Sequence, residues 1–82
     1  MAYVELIWDL DDDPEGNVTH IGQHGLTKDD VADALATAYD ETLSRSTGQS
    51  IAFGFTEDGR EVAVVIEVVD EVSIYPITAY EV

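Results

Sequence analysis

Two histidines are the residues of this sequence whose type and spacing first suggest chemistry. His20 and His24 are four residues apart, so both imidazole rings would lie on one face of a helix. Imidazole titrates near neutral pH, and each ring is therefore a candidate general acid or base. The spacing also suits zinc, but Ile21 stands where the zinc-protease motif has glutamate, and the sequence identifies no further ligands. We therefore predict neither a metal nor a cofactor.

Arg45 and Arg60 are two of only three basic residues in the chain. A guanidinium offers a planar set of donors that matches phosphate, which makes both arginines candidate ligands for a phosphoryl group. In a chain with eighteen acidic residues, the alternative is that each arginine forms a surface ion pair, which contributes little to stability. Both interpretations stay open at this point.

The segment Asp9–Glu15 carries an acidic residue at every second position. A calcium loop of the EF-hand type also begins with oxygen ligands at its first, third and fifth positions. Such a loop then requires glycine at the sixth position and glutamate at the twelfth, where this chain has Pro14 and His20. We therefore expect a hydrated acidic loop, with a weak divalent-cation site as the alternative.

The net charge is the strongest compositional signal, because eighteen acidic residues against three basic ones give −15 at pH 7. Such a charge disfavours bulk attraction to nucleic acid or anionic lipid. It is typical of a surface adapted to a saline cell, of an acidic face for a basic protein partner, or of a cation site. The chain also lacks cysteine, a signal-peptide pattern and any apolar run of the roughly 20 residues that span a bilayer. We expect a cytoplasmic protein that makes no membrane contact.

The hydrophobic pattern predicts a single α+β domain over residues 1–82, with elements in the order β-α-α-β-β-β-β. A strand over residues 3–8 precedes two helices. Asn17 is expected to cap the first helix, and Thr27 with Asp30 forms a capping box for the second. Both helices should pack on one face of an antiparallel sheet, with the first strand beside the strand that follows the long helix.

The C-terminal half is expected to supply four strands. The first covers residues 42–45, and Asp58-Gly59 predicts a hairpin later in the series. Residues 61–69, which are almost wholly apolar from Val62 onward, should form a central strand. Pro76 has no N–H to donate, so the last strand should be an edge strand or contain a bulge there.

The aromatic residues of these strands have two interpretations. Phe53 and Phe55 alternate with other residues, so both rings lie on one face of their strand. Rings that stack on nucleic-acid bases are normally interleaved with Lys or Arg, and none stands between these two. We therefore expect Phe53 and Phe55 to pack in the core, and Tyr80, near the C-terminus, to be exposed.

Five short pieces of sequence occur in a recognisable order along most of the chain. They are Ile7-Trp8-Asp9, His24-Gly25-Leu26-Thr27, Arg45, Asp58-Gly59-Arg60 and Ile77-Thr78-Ala79-Tyr80-Glu81. Their order and spacing resemble those of the BrnT family. Members of that family are small toxins of bacterial type II toxin–antitoxin pairs and have a RelE-like fold.

The resemblance implies a metal-independent ribonuclease that a ribbon-helix-helix antitoxin neutralises. Carried over by position, His24, Arg45 and Arg60 would form the catalytic site. His24 or an acidic residue would activate the ribose 2′-hydroxyl, and the guanidinium groups would bind the phosphate. RNA is a partner only if this site has survived.

Three functions remain open. The leading one is a BrnT-like toxin-family protein, with ribonuclease activity retained or lost. The second is a non-enzymatic acidic module that binds a basic protein, and the third is a weak divalent-cation binder that uses the Asp9–Glu15 loop. Gln23 precedes His24-Gly25 where the family usually has a basic residue, and the last strand ends in Glu81 without the family's Arg or Lys. Each missing cation weakens phosphate binding, which keeps the second function open.

Overall fold

The computed structural model describes residues 5–43 and 49–82, which form two helices and a five-stranded sheet. The elements follow the predicted order: β1 (Glu5–Leu6), α1 (Asn17–Gln23), α2 (Lys28–Ala36), β2 (Asp40–Leu43), β3 (Ser50–Phe55), β4 (Glu61–Val68) and β5 (Ser73–Glu81). The α+β class is therefore confirmed. The strand predicted over residues 42–45 corresponds to β2, and Arg45 lies outside the described residues. Neither helix in these ranges is long and apolar enough to cross a membrane.

The sheet is mixed, so the prediction of a purely antiparallel sheet is wrong. Its strands lie in the order β1-β5-β4-β3-β2, with β1 parallel to β5 and the other neighbours antiparallel. The expected place of the first strand is also wrong, since β1 and β2 lie at opposite edges. Parallel strands need a long crossover connection, and the chain from α1 to β4 provides one here.

Asn17 attaches helix α1 to this parallel edge. Its side-chain amide donates to the carbonyl oxygens of Ile7 and Pro76 at 3.0 and 2.7 Å, and its side-chain oxygen accepts the Asp9 N–H at 2.9 Å. Asn17 is only 1% exposed, so these bonds replace water at its buried polar atoms. The predicted capping role is wrong, because Gly16 is the N-cap, and Asn17, at the first position of the helix, links the residue after β1 to β5.

Helix α2 begins at the predicted capping box. The Thr27 hydroxyl accepts the Asp30 N–H at 3.2 Å, and the Asp30 carboxylate accepts the Thr27 N–H at 3.0 Å. Val31, Ala34 and Leu35 form the buried stripe of the helix. The cap and the stripe together fix the acidic first turn of α2 at one end of the sheet.

Helix α2 lies very close to strand β3 at Gly54. A Cβ atom at this position would stand 1.8 Å from the carbonyl oxygen of Ala34, so no side chain fits there. The contact fixes the orientation of β3. Ala52 and Gly54 are buried beneath the helix, so the alternate residues, Phe53 and Phe55, must face away from it. The expectation that Phe53 and Phe55 pack in the core is therefore wrong.

Strand β5 contains the irregularity that Pro76 predicts. Val65 pairs with Thr78, but the next residue, Ile66, pairs with Pro76, so β5 accommodates one extra residue at this point. A bulge tolerates a residue that cannot donate to the ladder. The apolar strand β4 lies in the middle of the sheet, and this prediction is confirmed.

We predict that Gly54→Ala lowers the free energy of unfolding by about 1–3 kcal/mol, because the added methyl group must push α2 away from β3. Gly22→Ala is the matched control, since an added Cβ there meets nothing within 4 Å. Because position 22 lies within α1, where alanine is favoured over glycine, the free energy of unfolding of the control should rise by about 0.5–1 kcal/mol. Urea unfolding followed by Trp8 fluorescence measures both values. Equal stabilities of the two variants would contradict the close packing.

Candidate functional site

An acidic groove lies between helix α2 and the turn that joins β3 to β4. It has a volume of about 520 Å³ and is lined by Thr27, Asp29, Asp30, Asp33, Glu57 and Asp58. Asp29 and Asp33 are one helical turn apart on α2, whereas Glu57 and Asp58 belong to the β3–β4 turn. Helix α2 packs on β3 at Gly54, and this packing brings five carboxylates of α2 and of the β3–β4 turn together.

Arg60 is held by two of these carboxylates. Its Nε lies 3.0 Å from each oxygen of Asp58 and donates to both, and its Nη2 lies 3.3 Å from the Asp30 carboxylate. The same Asp30 oxygen accepts the Thr27 N–H, so the ion pair is attached to the cap of α2. The hydrogen bond to the Asp58 carboxylate raises the pKa of Arg60 further above its ordinary value, at which the guanidinium is already fully charged at neutral pH. The structure therefore places Arg60 in the site as an already paired cation.

The β3–β4 turn directs Asp58 toward Arg60. The Thr56 hydroxyl donates to the Asp58 carboxylate and accepts the Arg60 N–H, the latter at 3.1 Å. Gly59 has a φ of +88°, which agrees with the predicted Asp-Gly turn. The hydrogen bonds from Thr56 and then from Arg60 lower the pKa of Asp58. Asp58 is therefore ionised at neutral pH.

Lys28 is the other basic residue in the described part of the chain, and it is also paired. Its Nζ lies 2.8 Å from the Asp11 carboxylate, in an exposed ion pair that contributes little to stability. Within the described residues, both cations therefore have carboxylate partners. A phosphate could approach either of them only by sharing the cation with a carboxylate or by displacing one.

His24 lies at the end of helix α1 and is exposed. Its ring centroid is 6.4 Å from that of Tyr80 near the end of β5. Tyr80 is 38% exposed, as predicted. At the same end of the sheet, the carbonyl oxygen of Glu61, the residue after Arg60, accepts the Val82 N–H at 2.9 Å. The structure therefore brings His24 and Arg60 to the end where β4 begins and β5 finishes.

The carboxylates of the acidic loop, Asp9–Glu15, contact different partners and do not converge on one point. Asp9 accepts from the Tyr75 hydroxyl and the Asn17 N–H, Asp13 accepts from the Glu15 N–H, and Asp11 pairs with Lys28. The hydrogen bond from Tyr75, followed by that from Asn17, lowers the pKa of Asp9. Among residues 5–43 and 49–82, no group of three His, Cys, Asp or Glu side chains is arranged to hold a metal ion.

No protein-family model, curated protein or solved structure matches this chain.

Sequence reasoning did not identify Asp29, Asp33 and Glu57 as members of a site. The spacing of Asp29 and Asp33 indicates a shared helix face, but it does not reveal what lies opposite that face. Their proximity to Glu57 depends on the way α2 packs on β3.

We predict that the free energy of unfolding of Tyr75→Phe falls less than that of the wild type as the pH rises from about 10 toward 12. The hydrogen bond to Asp9 raises the pKa of Tyr75 to about 12, whereas an unfolded tyrosine titrates near 10. The stabilisation is therefore complete below about pH 10 and is lost as the pH rises toward 12.

Urea unfolding between these pH values measures the effect. Tyr80→Phe is the control, because it removes a tyrosine and leaves the Asp9 contact intact. A Tyr75→Phe profile that matches those of the wild type and the control would contradict the assignment.

Proposed function

We propose that this chain is a BrnT-like protein that binds a basic segment of a partner protein in its acidic groove and does not cut RNA. The observation that carries the proposal is the pairing of Arg60 with Asp30 and Asp58 beside three further carboxylates. A site with this balance of charge attracts ammonium and guanidinium groups and repels phosphate.

The local charge agrees with the charge of the whole molecule. Fields at physiological salt decay over about 8 Å, so a ligand in the groove responds mainly to the five carboxylates and to Arg60. At longer range the net charge of −15 has the same sign. Both effects favour encounter with a basic partner, and long-range attraction acts mainly on the association rate.

An RNA phosphate would meet a specific obstacle at Arg60. The Nε donor already faces both oxygens of Asp58, and Nη2 faces Asp30. A phosphate that shared the guanidinium with these carboxylates, or that displaced one of them, would be a new negative group beside Asp30 and Asp58, and like charges at such distances repel. Arg60 therefore stabilises the groove more readily than it binds phosphate.

The resemblance to BrnT toxins indicates which kind of basic protein is involved. Members of that family pair with ribbon-helix-helix antitoxins, so the proposed occupant is a Lys- or Arg-rich segment of such an antitoxin. A RelE-like fold is part of the same proposal. It is supported by the order of the elements and by the shared core of the two helices and the sheet.

A metal-independent ribonuclease is the second candidate, and the placement of His24 and Arg60 at one end of the sheet favours it. In this alternative, His24 accepts the ribose 2′-hydroxyl proton and Arg60 neutralises the developing charge on the phosphate. Arg45 is the remaining predicted site residue, and it lies outside the described part of the chain.

The main proposal predicts that a polylysine peptide binds this protein at physiological ionic strength. The triple variant Asp29→Asn, Asp33→Asn, Glu57→Gln should weaken the binding roughly tenfold, because each lost exposed pair contributes about 0.2–1 kcal/mol. Fluorescence anisotropy of the labelled peptide measures the dissociation constants. Asp30 and Asp58 are left unchanged because they hold Arg60 and the cap of α2.

The control is a second triple variant, Glu5→Gln, Glu67→Gln, Glu71→Gln. It removes the same number of charges from exposed positions that do not line the groove. The control should retain most of the affinity. Equal losses in the two variants would show that the peptide responds to net charge and would overturn the groove as the binding site.

An RNA cleavage assay with chelator present separates the two candidate functions. The main proposal predicts no cleavage by the wild-type protein. Cleavage that is lost in both His24→Ala and Arg60→Ala would establish the ribonuclease in its place. Circular dichroism checks that both variants remain folded.

A further inference from the structure

Three aromatic side chains cluster on the face of the sheet opposite the helices. The ring centroid of Tyr39 lies 5.6 Å from that of Phe55 and 6.4 Å from that of Phe53. Tyr39 is 58% exposed and Phe55 is 41% exposed, so a ligand from solvent can reach both rings. We refer to Tyr39, Phe53 and Phe55 as the aromatic cluster.

The backbone holds this cluster in place. The N–H of Tyr39 donates to the carbonyl oxygen of Phe53 at 2.9 Å. The N–H of Phe55 donates to the hydroxyl of Thr37, at the end of α2, at 2.8 Å. The rings are therefore presented by a fixed strand and by the residue that precedes β2, rather than by a long loop.

Two carboxylates lie on the same face as the rings. Asp40 is directly opposite Phe53 in the pairing of β2 with β3, and Glu61 is directly opposite Phe55 in the pairing of β3 with β4. Residues that face each other across a ladder share a face of the sheet. The Tyr39 hydroxyl donates to the Glu61 carboxylate, which can still accept further hydrogen bonds. The aromatic cluster is thus bordered by negative charge on two strands.

We propose that the aromatic cluster, with Glu61 and Asp40, is the anchor for an arginine side chain of the basic partner. This inference rests on the proposed function and identifies where the partner's most specific contact is made. A guanidinium can stack on an exposed aromatic face while its N–H groups meet a carboxylate. The cluster supplies both halves of that recognition.

The charge of the surface selects this occupant over two others. A nucleic-acid base could stack on the same rings, but its phosphates would face Glu61, Asp40 and a chain of net charge −15. A second copy of this chain would bring the same negative charge to the interface. A positively charged side chain is the occupant for which rings and carboxylates both contribute attraction.

The position of the cluster also fits a partner that reaches the acidic groove. Phe55 ends β3 and Glu61 begins β4, and the turn between them carries the groove residues Glu57 and Asp58. The groove lies on the α2 side of this turn, and the cluster lies on the opposite face of the sheet. One basic segment that passes around the turn can therefore place charges on both sides.

The test compares a polyarginine peptide with a polylysine peptide of equal length at physiological ionic strength. The groove should bind both, whereas stacking on the cluster should favour polyarginine by about two- to fivefold. This preference should disappear in Tyr39→Leu and in Phe55→Leu, which keep an apolar side chain but remove a ring. Val68→Ala is the control, because Val68 is 55% exposed and lies at the far end of β4.

The outcomes separate this inference from the function on which it rests. Equal binding of the two peptides, or a polyarginine preference that persists in both ring variants, overturns the anchor and leaves the groove standing. Failure of both peptides to bind overturns the proposed function and the anchor together. Loss of the preference in the ring variants, with Val68→Ala unchanged, supports the anchor. Two ring variants are used so that a folding defect in one does not decide the result.

Discussion

The contact between Gly54 and the backbone of Ala34 determines how the two candidate surfaces of this protein are arranged. A side chain at position 54 would overlap the Ala34 carbonyl, so α2 rests directly on β3. The capped first turn of α2 then lies beside the β3–β4 turn, where Arg60 reaches Asp30. The same contact turns alternate residues of β3 away from the helix. The acidic groove and the exposed aromatic cluster are therefore two consequences of one packing constraint.

The electrostatics of the site follow from a shortage of cations. The chain has three basic residues for eighteen acidic ones, and the structure shows two of the three in ion pairs. Arg60 lowers the repulsion between α2 and the β3–β4 turn, because it contacts a carboxylate from each. A cation that balances two structural carboxylates has less remaining attraction for a phosphate. A lysine or arginine from another protein could meet the carboxylates of the groove that Arg60 does not contact.

Local signals in the sequence predicted local structure correctly. The Thr27–Asp30 capping box, the Asp58-Gly59 turn and the irregularity at Pro76 each depend on residues close in sequence, and all three are confirmed. The parallel pairing of β1 with β5 was not predicted, because it joins residues far apart in sequence through backbone hydrogen bonds and the Asn17 side chain. The buried face of β3 was also missed. Phenylalanine is more apolar than alanine or glycine, but only small residues fit beneath α2.

The candidate site also contains features that the sequence could predict and features that only the fold reveals. Arg60 and His24 could be chosen from their chemistry, and both lie at the end of the sheet where β4 begins and β5 finishes; their catalytic role stays a prediction. The partners of Arg60 could not be chosen, since nothing in the spacing of Asp30 and Asp58 indicates that both carboxylates reach one guanidinium. This pairing is the ground on which we propose a basic side chain, rather than a phosphate, as the ligand, and it was visible only in the folded chain.

The claim that Arg60 is committed to carboxylates can be measured directly from the Nε–H signal of Arg60 in isotope-labelled protein. Inorganic phosphate would be titrated against chloride at constant ionic strength and neutral pH while the signal is followed by nuclear magnetic resonance. We expect the signal to stay in place, because Asp58 retains the Nε–H. A saturable displacement of this signal by phosphate, absent from the backbone signals at the far end of β4, would contradict it.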